Sequence, residues 1–271
     1  ACFFKSPLQV VEDTADKVKT IVEKGMPIVI SSSPQGGSSA PVQEAGMISM
    51  INAEILAGVT FTQLVKPGAP VLYGSVPVRA RFDNLHDLYG CPEFNKYNAD
   101  CVQMARHYKV PCYSSAGVGD AKYPGMQSMY EKLLTHLYVA MSGPQYIHYA
   151  FGLLDRTNSF CPVQAVLDNE QVGAVKLTLR KAAIGAAEAD EAVKMVNKVM
   201  GSKSRLFTRH ARKLMHTGEL SEPYKFTSSE GDKVMEKAVQ ELARIEAEPR
   251  RHIEKEKREK IFAEVPGILE S

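Results

Sequence analysis

Four aromatic side chains, Tyr73, Tyr113, Tyr149 and Phe151, recur at the ends of apolar, β-rich runs. Rings converging from several strand ends make a cage for a quaternary ammonium ion, through cation–π attraction of about 0.5–2 kcal/mol. Packing in a core accounts for each ring separately just as well. His148 lies in Tyr146-Ile147-His148-Tyr149, where strand alternation turns it opposite Ile147; it is a candidate catalytic group or a core histidine. Asp120, Lys122, Gln127 and Glu131 cluster in a loop and the helical turns after it. Groups placed there orient a substrate or cap the helix. Asp120 and Glu131 are the acid–base candidates, and Gln127 is a substrate contact. Gly36, Gly37, Ser38 and Ser39 follow an apolar run and precede a helical pattern. Such a turn presents backbone N–H groups to a carboxylate or phosphate, or serves as a tight connection with a serine cap.

Other signatures are missing. The sequence has no GxSxG, HExxH or Walker pattern, and Gly117-Val118-Gly119 is too short for a dinucleotide fingerprint. His86, His107, His136, His210, His216 and His252 are scattered without metal-ligand spacing, so no metal is assigned.

The elements that must position these residues alternate. Strands are expected at Cys2–Phe4, Pro27–Ser32, Pro70–Val76, Val110–Ser115 and Gln145–Phe151, each followed by a stretch of helical period. Pro27–Ser32 is too uniformly apolar for a half-exposed strand and belongs in a sheet covered on both faces. The loop Pro77–Pro92 is longer than most connections of this kind, which marks it as functional. The pattern predicts an α/β fold, a TIM (β/α)8 barrel incomplete at its N-terminus, in preference to an open doubly wound sheet. Residues 1–158 form about five βα units. Residues 159–271 form a helical C-terminal part packed on the barrel, with helices at Pro162–Lys181, Ala187–Val199, Ser204–His216 and Ser229–Ala247 and a charged surface helix over Arg250–Ala263. The opening Ala1-Cys2-Phe3-Phe4 reads like the tail of a strand, so residues upstream of it are expected.

With 271 residues, 44% of them hydrophobic, the chain can bury a sizeable core, and a net charge of +2 gives no sign of a nucleic-acid partner. The longest wholly apolar runs are far shorter than the roughly 20 residues of a membrane span, so no membrane is expected. Five cysteines without a CxxC pair predict free thiols and a cytoplasmic setting.

The run from Pro27 to Gly74, with Ile28-Val29-Ile30-Ser31-Ser32-Ser33-Pro34, Gly37-Ser38-Ser39-Ala40-Pro41-Val42, Asn52-Ala53-Glu54-Ile55-Leu56-Ala57-Gly58 and Pro67-Gly68-Ala69-Pro70-Val71-Leu72-Tyr73-Gly74, resembles the trimethylamine methyltransferase family. So do Tyr113-Ser114-Ser115-Ala116-Gly117, Asp120-Ala121-Lys122, Tyr130-Glu131 and Val166-Leu167-Asp168-Asn169-Glu170. The resemblance implies a TIM barrel that methylates the Co(I) corrinoid (cobalamin) of a cognate partner protein. Founding members act on trimethylamine and contain pyrrolysine. No nonstandard residue stands here, which favours the glycine betaine-type branch. A small methylated amine is the expected substrate and a homo-oligomer the expected assembly. A quaternary amine leaves as a neutral tertiary amine without needing a proton, so orientation carries the chemistry. The resemblance thus puts the cation among Tyr73, Tyr113 and Tyr149, and any carboxylate at the Gly36–Ser39 turn or near Asp120 and Gln127. Two alternatives stand beside it: a barrel enzyme using the glycine turn on a phosphorylated or carboxylated metabolite, and a non-catalytic structural or binding subunit.

Overall fold

The computed structural model describes residues 1–214, 233–249 and 253–265. In chain order, β1 (Cys2–Phe4), α1 (Glu12–Glu23), β2 (Ile28–Ser32), β3 (Gln35–Gly36) and α2 (Glu44–Val65) come first. Then follow β4 (Val71–Ser75), β5 (Val78–Ala80), β6 (Asp87–Leu88), α3 (Pro92–Tyr108), β7 (Cys112–Ser115), α4 (Met126–Ser142) and β8 (Tyr146–His148). A hairpin of β9 (Leu153–Leu154) and β10 (Ser159–Phe160) leads to α5 (Pro162–Thr178), α6 (Ala186–Met200), α7 (Thr208–Leu214), α8 (Val234–Glu246) and α9 (Lys255–Glu264). The expected helices over Ser204–His216, Ser229–Ala247 and Arg250–Ala263 lie partly outside the described residues.

The five expected strands form one parallel sheet in the order β1-β2-β4-β7-β8. Each strand pairs with the next βα unit's strand, without the order reversal of a doubly wound sheet. Register sorts the side chains. Ile30 stands beside Tyr73 and Cys112, while Ser31 stands beside Phe3, Gly74 and, through Gly74, Tyr113 and Tyr146. The first set faces the helices, where Val18, Val22, Ile28, Ile30, Met47, Ile51, Ile55, Tyr73 and Cys101 form the core.

By length and composition α2 is apolar enough to cross a membrane, although no run within it is wholly apolar over that length. In this fold it buries Met47, Ile51, Ile55 and Gly58 instead. A Cβ on Gly58 would stand 2.5 Å from Ile30 Cγ2 and 2.6 Å from a Phe4 ring carbon, so a glycine is what lets this helix seat on β1 and β2. Glu54, also buried on α2, accepts hydrogen bonds from the hydroxyls of Ser6 and Ser32 and from the Leu8 N–H, which ties the loop after β1 to the helix.

Proline opens α3 and α5 at the position where a missing N–H costs nothing. β8 stops at His148 because Tyr149 (φ 68°) and Gly152 (φ 76°) turn left-handed. The expected strand end at Phe151 is therefore a loop, and Phe151 is partly exposed there. The long loop before α3 contains β5 and β6, which join β3 in a three-stranded sheet. All five cysteines are free, four of them buried.

Candidate functional site

On the face opposite the core, Phe3, Val29, Leu72, Tyr113, Tyr146, His148 and Tyr149 line a hollow of about 650 Å³. Strand alternation places the first six there, and Tyr149 follows β8 at a left-handed φ of 68°. Tyr113 and Tyr146 are register partners and stack with centroids 5.4 Å apart. Tyr113 lies 5.0 Å from the His148 ring, and His148 lies 3.6 Å from Tyr149. Four rings thus run continuously over β7 and β8, from Tyr146 at the first residue of β8 to Tyr149 just past its end. Gly74, between Ser31 and Tyr113, has no room for a side chain; a Cβ would lie 2.8 Å from the Ile30 carbonyl.

No side chain lining the hollow carries a formal charge at neutral pH; the α-amino group of Ala1, which also lines it, is its one formal charge. Burial pushes the Tyr113 and Tyr149 phenols above their ordinary range, so they stay protonated. Burial also lowers His148, and its Nδ1 is enclosed without a hydrogen-bond partner. Apart from that amino group the arrangement is an uncharged, π-faced hollow suited to a cation that cannot donate hydrogen bonds.

Two of the expected binding features stand elsewhere. Tyr73 belongs to the opposite face: it is 1% exposed and its hydroxyl donates to Asn52 Oδ1 on α2 at 3.2 Å. Parity is the reason, since Tyr73 pairs with Ile30 on the helix side and cannot share the hollow with Tyr113. The Gly36–Ser39 turn has two of its N–H groups engaged within the turn. The Gly37 N–H donates to Ala40 O, the Ser38 N–H to Gln35 O, and the Ser39 hydroxyl accepts the Gln35 N–H. The helix begins only at Glu44, so the turn does not sit on its N-terminus.

Asp120, Gln127 and Glu131 do come together, joined to one another and to backbone N–H groups by hydrogen bonds. Asp120 accepts the Tyr89 and Gly90 N–H groups at 3.0 and 2.9 Å. Glu131 accepts the Asp120 and Ala121 N–H groups at 2.8 and 3.2 Å and the Gln127 amide at 2.8 Å. Burial raises the Asp120 carboxyl against the pull of its two backbone donors. Both acids tie the loop after β7 to its neighbours. Nearby, Arg81, His86, Asp87, Asp120, Lys122 and Arg156 border a second, polar cleft of about 370 Å³.

The sequence reading missed a polar network on the buried faces of α4 and α5. Lys132 and Asp168 are both 0% exposed and form an ion pair at 2.7 Å. Lys132 also donates to Gly117 O at 2.7 Å, and Asp168 accepts the Gly152 N–H at 2.7 Å and the Gln164 amide at 2.8 Å. Thr135 Oγ1 accepts the Gly117 N–H at 2.9 Å, and His136 Nε2 lies 3.0 Å from Ala150 O. The available signal was spacing: Ser128, Lys132 and His136, like Gln164, Asp168 and Gln171, repeat at helical intervals where a buried stripe is ordinarily apolar. Tyr146 was also missed as a lining ring. Among the described residues, no three His, Cys, Asp or Glu side chains gather in a metal-binding group.

These features define an α/β protein with a sequentially ordered parallel sheet, helices on one face and an aromatic hollow on the other. Residues 2–219 match the family model described as Trimethylamine methyltransferase (MTTB), and the chain belongs to that family. It is 31% identical over 210 residues to the trimethylamine methyltransferase MttB of Methanosarcina barkeri, covering 78% of this chain and 42% of that protein. It is 31% identical over 186 residues to the trimethylamine methyltransferase MttB of Desulfitobacterium hafniense, covering 69% and 36%. The glycine betaine methyltransferase of Desulfitobacterium hafniense (strain Y51) is 30% identical over 168 residues, covering 62% and 35%. The chain thus spans about two fifths of the length of the relatives it matches or somewhat less.

Proposed function

We propose that this chain forms the amine-binding part of a methyltransferase that moves a methyl group from a quaternary or tertiary methylated amine to the corrinoid of a partner protein. The observation carrying this reading is the continuous group of four rings, Tyr146, Tyr113, His148 and Tyr149, in a hollow lined by uncharged side chains. The ordered sheet supports a (β/α)8 barrel whose inner wall bears the hollow, with His148 and Tyr149 at the C-terminal end of β8, the side on which barrel enzymes bind substrates. The donors named for the relatives, trimethylamine and glycine betaine, share an N-methylated nitrogen, which is cationic in the betaine and in protonated trimethylamine.

In this reading Tyr113 and Tyr146 hold the cationic head by their π-faces and Tyr149 closes the strand-end side. Neutral His148 adds a face without adding a competing positive charge. The residues fit a corrinoid brought by a partner in one respect: the hollow is broad and open to solvent beside the rings. The corrinoid supplies a Co(I) nucleophile for the methyl carbon. The chain's own part is to fix the N–CH3 direction and keep the site poor in water, which raises the fraction of reactive encounters. A quaternary donor leaves as a neutral amine, so no acid is required at the nitrogen.

Against a phosphorylated or carboxylated substrate at the glycine turn stands the internal use of its Gly37 and Ser38 N–H groups. The test mixes the protein with Co(I) cobalamin or a corrinoid protein and a panel of methylated amines, and follows loss of the Co(I) absorbance. Amine-dependent loss supports the proposal. An inert protein that also binds no methylated cation returns the non-catalytic reading.

A further inference from the structure

The buried ion pair of α4 and α5 carries an inference that rests on the aromatic-site reading. Tyr149 is held at φ 68°, just past β8, where the Ala150–Gly152 segment follows it, and the Gly117 segment stands in the same way just past β7. Those segments are gripped from behind: Lys132 and Thr135 take both polar groups of Gly117, His136 meets Ala150 O, and Asp168 takes the Gly152 N–H. Lys132 and Asp168 are fully buried, where an apolar pair of similar volume often serves stability as well or better. What the charged pair adds is direction, since it meets one loop at a carbonyl and the other at an N–H. We infer that Lys132 and Asp168 are positioning residues: they fix the Gly117 and Ala150–Gly152 backbones and thereby the orientation of the Tyr149 ring against His148.

The test uses the full chain and the double variant Lys132→Met/Asp168→Asn, which removes both charges while keeping an acceptor for the Gly152 N–H. Tetramethylammonium is the probe. NMR of ring-labelled tyrosine gives a readout independent of ligand. The expected result is a cooperatively folded variant with displaced Tyr149 ring resonances and a probe dissociation constant raised about 5- to 150-fold, the range of a coupling of about 1–3 kcal/mol. A folded variant with Tyr149 resonances and affinity unchanged overturns the proposal.

If the double variant does not fold, amide exchange on the wild-type protein decides. By reciprocity, the probe must slow exchange at Gly117 and Gly152 while leaving α2 amides as they were; no effect at those two amides overturns the assignment. A wild-type protein that binds no probe sinks the aromatic site itself, and the Tyr149 resonances of the folded variant then still report on positioning.

Discussion

Replacing Glu131 by glutamine tests whether this acid is a loop clamp. Its side chain sits against Gly90 and Gly119, where added Cβ atoms would collide with the carboxylate or its stem. One oxygen takes the Asp120 and Ala121 N–H groups and the other takes the Gln127 amide. A glutamine has a single acceptor oxygen. Its least costly orientation keeps that oxygen on the two backbone donors and leaves NH2 facing NH2 at Gln127, which is exposed and can turn to water. The loss is then the charge assistance of two bonds, about 1 kcal/mol each, or about 2 kcal/mol in all. Glu131→Ala strands both backbone donors and should cost about 2–6 kcal/mol, at about 1–3 kcal/mol for each donor left without a partner. Urea unfolding measures both variants, and amide exchange at Asp120 and Ala121 localises the change. A Glu131→Gln protein within about 0.5 kcal/mol of wild type, with those two amides exchanging as before, would refute the clamp.

Tyr113→Ala should weaken tetramethylammonium binding at least severalfold while Tyr73→Phe leaves it unchanged, because only Tyr113 borders the hollow; equal effects in a titration would contradict the assignment of faces. Gly58→Ala should destabilise the fold by about 1–3 kcal/mol through overpacking against Ile30 and Phe4, and a neutral result in denaturant unfolding would mean that α2 can lift from the sheet at no cost. Burial lowers His136 below its ordinary value of 6.5. Between that value and the lower folded one the unfolded chain binds more protons, so this contribution to stability is present above about pH 6.5 and is lost as pH falls. His136→Gln should flatten the slope of stability between about pH 7 and about pH 5; an unchanged slope assigns the titration to other groups.

The βα alternation was legible because apolar runs of strand length and stretches of helical period are local properties. The expected strands and helices fall where hydrophobic spacing put them, usually with trimmed ends. Cys112–Ser115 is shorter than the expected run from Val110, and Tyr146–His148 stops three residues before Phe151. The second end depended on a left-handed Tyr149, and that residue type gives no cue to such a backbone. The short strands β3, β5 and β6 escaped notice because two- or three-residue pairings have no period to read.

Sequence alone determined the order of elements, the family and the chemical character of the candidate side chains, since each follows from residue type and near-neighbour spacing. Which tyrosines share a hollow was decided by tertiary structure. The alternation of a single strand says that neighbours point apart, but not which parity meets the helices; pairing with Ile30 turned Tyr73 inward to the core and left Tyr113 on the open face. Tertiary structure likewise gave Asp120 and Glu131 their backbone partners and joined Lys132 to Asp168, 36 residues away, across two helices. A charged side chain's role depends on whether water or a specific partner meets its charge, and that is known only once the chain has closed around it.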